Sequence, residues 1–140
     1  MSADTFVDTN ILIYAYDKDS GEKNLRAEAV IKELWESERG MLSTQVLQEF
    51  YVNATRKMLH PVSPAVARGI IENYLAWPVR MVEPPTILRA SEFQERHQLS
   101  FWDAMILATA YEGKARTLLT EDLNHGQTIE GIRIVNPFRD

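Results

Sequence analysis

Short β-prone runs alternate with helical stripes along the whole chain, and that alternation restricts the fold more than any other feature. Thr5 to Val7 is an apolar strand pattern, after which Ala27, Val30, Ile31, Leu34 and Trp35 fall on one face of a helix closed by Gly40. Met41 to Thr44 reads as a second strand. Leu47, Phe50, Tyr51, Ala54 and Met58 then repeat the helical stripe up to His60-Pro61, because the residue before a proline is pushed out of helical geometry. At Ser63-Pro64 the hydroxyl can cap a helix while proline takes the first helical position, with Val66, Ile70, Tyr74 and Leu75 as the buried face and Trp77-Pro78 as the end. Val79 to Val82 gives a less marked strand pattern. Pro84-Pro85 opens a helix carrying Ile87, Leu88 and Phe93, and a last helix runs from Trp102 to Tyr111 with Gly113 as its C-terminal cap. Thr117 to Thr120 and Ile132 to Val135 read as the closing strands. Strands that alternate with helices imply a parallel sheet, since each crossover helix must pack back on it. The expected architecture is one α/β domain over residues 1–140, a three-layer α/β/α sandwich with a mainly parallel central sheet.

No repeat, low-complexity tract or Gly/Ser linker interrupts the pattern. A chain of 140 residues can bury roughly 70% of the surface its unfolded form exposes, so it needs no covalent staples. The absence of cysteine excludes disulfides, thiolate zinc sites and cysteine nucleophiles, and the polar start from Met1 to Asp4 fits neither a secretory signal nor a spanning helix. The cytoplasm is the expected compartment, without a membrane partner. A formal net charge of −5 argues against indiscriminate binding to phosphates. Two divalent ions held by four of the acids would reduce that to about −1 and reverse the local sign.

Sites in open parallel sheets form beyond the carboxyl ends of the strands, and here the sequence places acids. Asp8 ends the first strand, Glu49 lies in the first turns of the helix after the second, and Asp122 follows the strand ending at Thr120. Asp103 begins the helix that leads into that same strand. Singly, each has a local explanation: a turn or cap for Asp8, a capping-box position after Ser100 for Asp103, a solvated helix face for Glu49 and a polar turn for Asp122. Together they point elsewhere. Asp8 and Asp103 are embedded in core-forming sequence, no lysine or arginine lies beside either, and buried charge has to be paired or bound to metal. Oxygen-only ligation selects Mg²⁺, or Mn²⁺, and the scattered His60, His97 and His125 do not form a zinc set, with His125 alone expected near the site.

Phe6-Val7-Asp8-Thr9-Asn10-Ile11-Leu12, Phe101-Trp102-Asp103-Ala104 and Leu118-Leu119-Thr120-Glu121-Asp122-Leu123 with Gly126 resemble the PIN domains, and within them the single-domain VapC-type toxin ribonucleases. The resemblance runs the whole chain and is least distinctive at Glu49. It implies that Asp8, Glu49, Asp103 and Asp122 are an acidic quartet binding one or two Mg²⁺ ions, with Asn10 and Thr120 orienting those acids and Glu121 at a variable position. It also implies a homodimer and, for the toxin branch of type II toxin–antitoxin pairs, a cognate antitoxin whose tail blocks the site. The expected reaction is metal-assisted hydrolysis of RNA phosphodiesters, with single-stranded or looped RNA held by Lys and Arg on phosphates and by aromatic stacking; Arg56, Lys57, Lys114 and Arg116 are the candidate cations, each with ordinary solvated charge as the alternative reading.

A non-catalytic PIN-like binding module is the main rival reading. A phospho-accepting receiver domain requires adjacent acids ahead of the first helix and a lysine ending the last strand, whereas Asp8 has no acidic neighbour and Ile132 to Val135 runs into Asn136-Pro137. A phosphatase Asp-x-Asp motif and a Gly-rich phosphate loop are both missing.

Overall fold

The computed structural model describes residues 2–139. Its strands are β1 (Thr5–Val7), β2 (Gly40–Ser43), β3 (Val79–Arg80), β4 (Thr117–Leu119), β5 (Thr128–Ile129) and β6 (Ile132–Val135). The helices are α1 (Thr9–Tyr16), α2 (Glu22–Ser37), α3 (Thr44–Arg56), α4 (Pro64–Tyr74), α5 (Pro84–His97) and α6 (Phe101–Glu112), with one short 3-10 turn at Lys18–Ser20. The sheet order is β3-β2-β1-β4-β6-β5, and every pairing is parallel except β5 with β6. One helix group joins α1, α2, α3 and α4, and the other pairs α5 with α6, so the sheet lies between two helical layers. That is the expected three-layer architecture.

The order places β1 at the centre, fully buried at Phe6 and Val7. Chain order runs outward through β2 and β3 on one side of β1 and continues through β4 on the other. The crevice beyond the ends of β1 and β4 is therefore a topological switch point, where ligands of parallel sheets bind. Parallel register, Phe6 opposite Leu118 and Val7 opposite Leu119, brings the residues after both strands together.

Several sequence expectations shift. Gly40 does not close α2; that helix ends at Ser37, with Glu38 in the left-handed region (φ 60°), and Gly40 is the first residue of β2. Its lack of a side chain serves packing instead, since a Cβ there would lie 2.5 Å from the Trp77 ring. Thr44 belongs to α3, capped by Ser43 accepting from the Val46 N–H. Ser63 caps α4 as expected, but its buried residues are Ala67 and Tyr74, whereas Val66 and Leu75 are exposed. Ile87 and Leu88 are likewise exposed, and α5 seats Thr86, Ala90 and Phe93. Both misplaced faces arise because the apolar residues of α4 and α5 exceed the narrow stripe that the neighbouring elements cover.

Candidate metal centre

Asp8 follows β1 and is only 5% exposed. It caps α1: Oδ1 accepts from the Thr9 N–H at 2.7 Å, and Oδ2 accepts from the Thr120 hydroxyl at 2.8 Å. The Thr120 oxygen in turn accepts from the Asp122 N–H at 3.0 Å, so one buried hydroxyl ties the ends of β1 and β4 together. Asn10, in the first turn of α1, donates through Nδ2 to Asp122 Oδ2 at 3.0 Å. Asp103 sits three residues into α6, where its N–H is capped by Ser100 Oγ at 3.1 Å. The capping explanations for Asp8 and Asp103 thus hold, and they are how the backbone aims those carboxylates rather than a substitute for a site.

Asp8, Asp103 and Asp122 each present a carboxylate oxygen, and these atoms lie within 4.8 Å of one another. No lysine or arginine among the described residues pairs with any of them. Each pair of charges at that spacing repels by about 3 kcal/mol at an effective dielectric near 20. The protonation equilibria record the strain. Burial, opposed by the Thr120 and Thr9 hydrogen bonds and reinforced by the charges of Asp122 and Asp103, pushes Asp8 up to about 7. Burial also raises Asp103, against Ser100, with the charge of Glu49 adding to it, and burial followed by the charge of Asp103 raises Asp122.

Glu49 stands outside the triad but lines the same cavity of about 380 Å³. The Thr9 hydroxyl donates to its Oε1 at 2.6 Å, and Gln45 Nε2 approaches its Oε2 at 3.4 Å. Glu121 is drawn away by the Tyr14 hydroxyl at 2.7 Å and by Lys23 at 2.9 Å. The neighbouring acid is therefore spoken for.

Of the cations suggested by sequence, only Lys57 lines the cavity. Arg56 is exposed and is not among the residues that line it. Lys114 and Arg116 precede β4 and line a different hollow with Asp4 and Arg39, at the amino end of the parallel strands, because the chain enters β4 from that side. His125 does not line the cavity; its Nδ1 accepts from the Asn136 N–H at 3.0 Å. His60 and His97 pair with Asp19 and Glu130.

Sequence reading missed Thr9, Gln45 and Trp102. Gln45 is 6% exposed, lines the cavity, and its Oε1 has no hydrogen-bond partner among the described residues; Asn10 Oδ1 shares that condition. A buried glutamine one turn before a candidate glutamate was the available signal for Gln45. The adjacency of Trp102 to Asp103 was the signal for the indole.

Residues 5–129 match the PIN domain. The chain belongs to the PIN domain family. Membership removes the receiver-domain alternative. Among solved structures, the PIN fold here is similar to VapC20 of Mycobacterium tuberculosis, described as a sarcin-ricin loop cleaving toxin, at 26% identity and TM-score 0.63, over 81% of this chain and 86% of that one. A toxin–antitoxin complex from Klebsiella pneumoniae aligns at 23% identity and TM-score 0.67, over 97% of this chain and 99% of that one. DNA-bound VapBC from Salmonella typhimurium aligns at 18% identity and TM-score 0.63, over 94% of this chain and 96% of that one. These last two support the fold alone. No curated protein sequence matches the chain. No described helix of this PIN domain is long and apolar enough to cross a membrane.

Proposed function

We propose that this PIN domain is a Mg²⁺-dependent endoribonuclease, with Mn²⁺ able to substitute, and the toxin of a type II toxin–antitoxin pair. The observation that carries this reading is the convergence of the Asp8, Asp103 and Asp122 oxygens within 4.8 Å of one another, with no lysine or arginine among the described residues ion-paired to them. The donor set fits a hard divalent cation, being composed of carboxylate oxygens without histidine or cysteine. Asp8, Asp103 and Asp122 would hold the ion, and Glu49 would complete the acidic wall on which a second could rest. When bound, the cation supplies Lewis acidity toward a phosphodiester and an activated water for its hydrolysis.

The chain's own residues supply the rest. Thr120 and the Thr9 N–H fix Asp8 so that the carboxylate cannot turn away from the crevice. Asn10 holds the exposed Asp122, and its orphaned Oδ1 remains a buried acceptor beside the acids. The Thr9 hydroxyl keeps Glu49 facing the same cavity. The Thr9 and Thr120 hydroxyls at the site are both engaged by its carboxylates, which favours direct attack by water.

RNA as substrate and a cognate antitoxin are supported by the PIN membership together with the toxin and toxin–antitoxin structures that the chain resembles, and the homodimer is proposed on the family resemblance alone. The cytoplasm is the compartment consistent with such a role. The test is incubation of purified protein with a panel of labelled RNAs in Mg²⁺, Mn²⁺ or chelator, beside Asp103→Asn. Cleavage restricted to the wild type with metal is expected; cleavage that persists in chelator or in the variant contradicts the reading.

A further inference from the structure

Trp102 stands one residue before Asp103 and is 63% exposed, yet it lines the same cavity as the three converging aspartates. A tryptophan that lines a charged cleft with its indole exposed offers a large, rigid contact face to whatever occupies the cleft. The ring is not loose. Phe101 meets it edge to face with centroids 5.2 Å apart and planes at 76°, and Phe101 itself packs against the core. The platform is therefore set before anything binds.

The rest of the cavity narrows the choice of occupant. Ile13, Met58 and Ile106 give it apolar wall, while Lys57, the C-cap of α3, brings an ammonium that forms no ion pair among the described residues. Carboxylates for a cation, an exposed indole, an apolar wall and an uncommitted ammonium suit a ligand that joins anionic and flat aromatic parts. A nucleotide of a single strand has that composition. In a duplex the base is already stacked and its faces are out of reach.

We infer that Trp102 is a stacking platform for one unpaired nucleobase of the substrate strand beside the phosphate to be cut, with Lys57 holding a phosphate of the same strand. The inference rests on the nuclease reading and adds to it a requirement at the substrate. Every base has a π-face, so this contact selects an unpaired base over a paired one and tolerates sequence. Trp102 is thereby a binding residue that sets KM, distinct from the acids that set the chemical step.

The experiment is single-turnover and steady-state cleavage, in Mg²⁺, of a short RNA that the full chain cuts at one place, together with RNAs in which each nucleotide near the cut in turn lacks its base. For wild type, one abasic position should raise KM about ten- to a hundredfold, the range of a lost base–aromatic stack. Trp102→Ala should raise KM on intact RNA by a similar factor and show no further loss at that position, while Trp102→Phe keeps most of the affinity and the coupling. Anisotropy of labelled RNA bound to Asp103→Asn, with and without Trp102→Ala, should show the same loss without any turnover. The inference is overturned if Trp102→Ala leaves KM unchanged or keeps the full abasic response. It is equally overturned if all RNAs suffer alike while light scattering shows a changed oligomeric state, which would assign the indole to contact with a second copy. Failure of wild type to cut any RNA would remove the nuclease reading and this inference with it; cleavage without Trp102 coupling removes the inference alone.

Discussion

Asp8 serves at once as helix cap, as hydrogen-bond acceptor for Thr120 and as the buried member of an acidic triad. Its folded carboxyl, at about 7, lies above its ordinary value of 3.8, so the folded state holds the proton more tightly than the unfolded chain. The stabilisation from that proton is complete below about pH 4 and is lost as pH rises through about 7. Asp103 and Asp122, both raised, act in the same direction. In chelator the melting temperature should therefore fall between pH 5 and pH 8, and Asp8→Asn should flatten that decline. Exposed His60, also raised by Asp19, leaves a small residual slope in both proteins. The same substitution is expected to abolish cleavage while leaving the metal-free protein as stable or more so, because asparagine still caps α1 and one repelling charge is gone. Strong destabilisation in a chelator melt would count against the cluster. Thr120→Val, by contrast, removes a buried hydroxyl that serves both Asp8 and the Asp122 N–H; denaturant titration should show a loss of about 1–3 kcal/mol, and activity should fall as well.

At the scale of elements, Gly40 shows what a pattern of residues can and cannot reveal. Read along the chain it resembles a helix stop, but its reason is across the fold, where the Trp77 ring occupies the space of a Cβ. Trp77 is itself clamped by Trp35 and Tyr74. Gly40→Ala should accordingly destabilise by about 1–3 kcal/mol through overpacking, measurable as a lower denaturant midpoint at unchanged slope. Helix α1 was illegible for a related reason: Ile11 and Leu12 are buried while Ile13 and Tyr14 are half-covered, so apolar residues surround the axis and no stripe emerges. The β5–β6 hairpin turns through Glu130 and Gly131, both at positive φ (52° and 80°), with a glutamate where asparagine or aspartate would have signalled the turn. The strands β1, β2, β4 and β6 and the capped starts of α4 and α6 were legible, since their signals are local. The acids were legible because carboxylates interrupt apolar runs at Asp8 and Asp103. The positions of Lys114 and Arg116 were not, since which end of the sheet a loop occupies follows from strand direction rather than from residue type.

For the whole molecule, the switch point between β1 and β4 turns residues more than a hundred positions apart into a single acidic centre. Binding of Mg²⁺ there should raise the melting temperature by mass action, more at pH 8 than at pH 5, where protons compete for the same oxygens. The most direct measurement of the central claim is a titration of Mn²⁺, followed by its paramagnetic resonance signal, into wild type and Asp103→Asn at pH 8. Saturable binding by the wild type that is lost or greatly weakened in the variant is the predicted result. Equal binding by both proteins, or none by either, would contradict it.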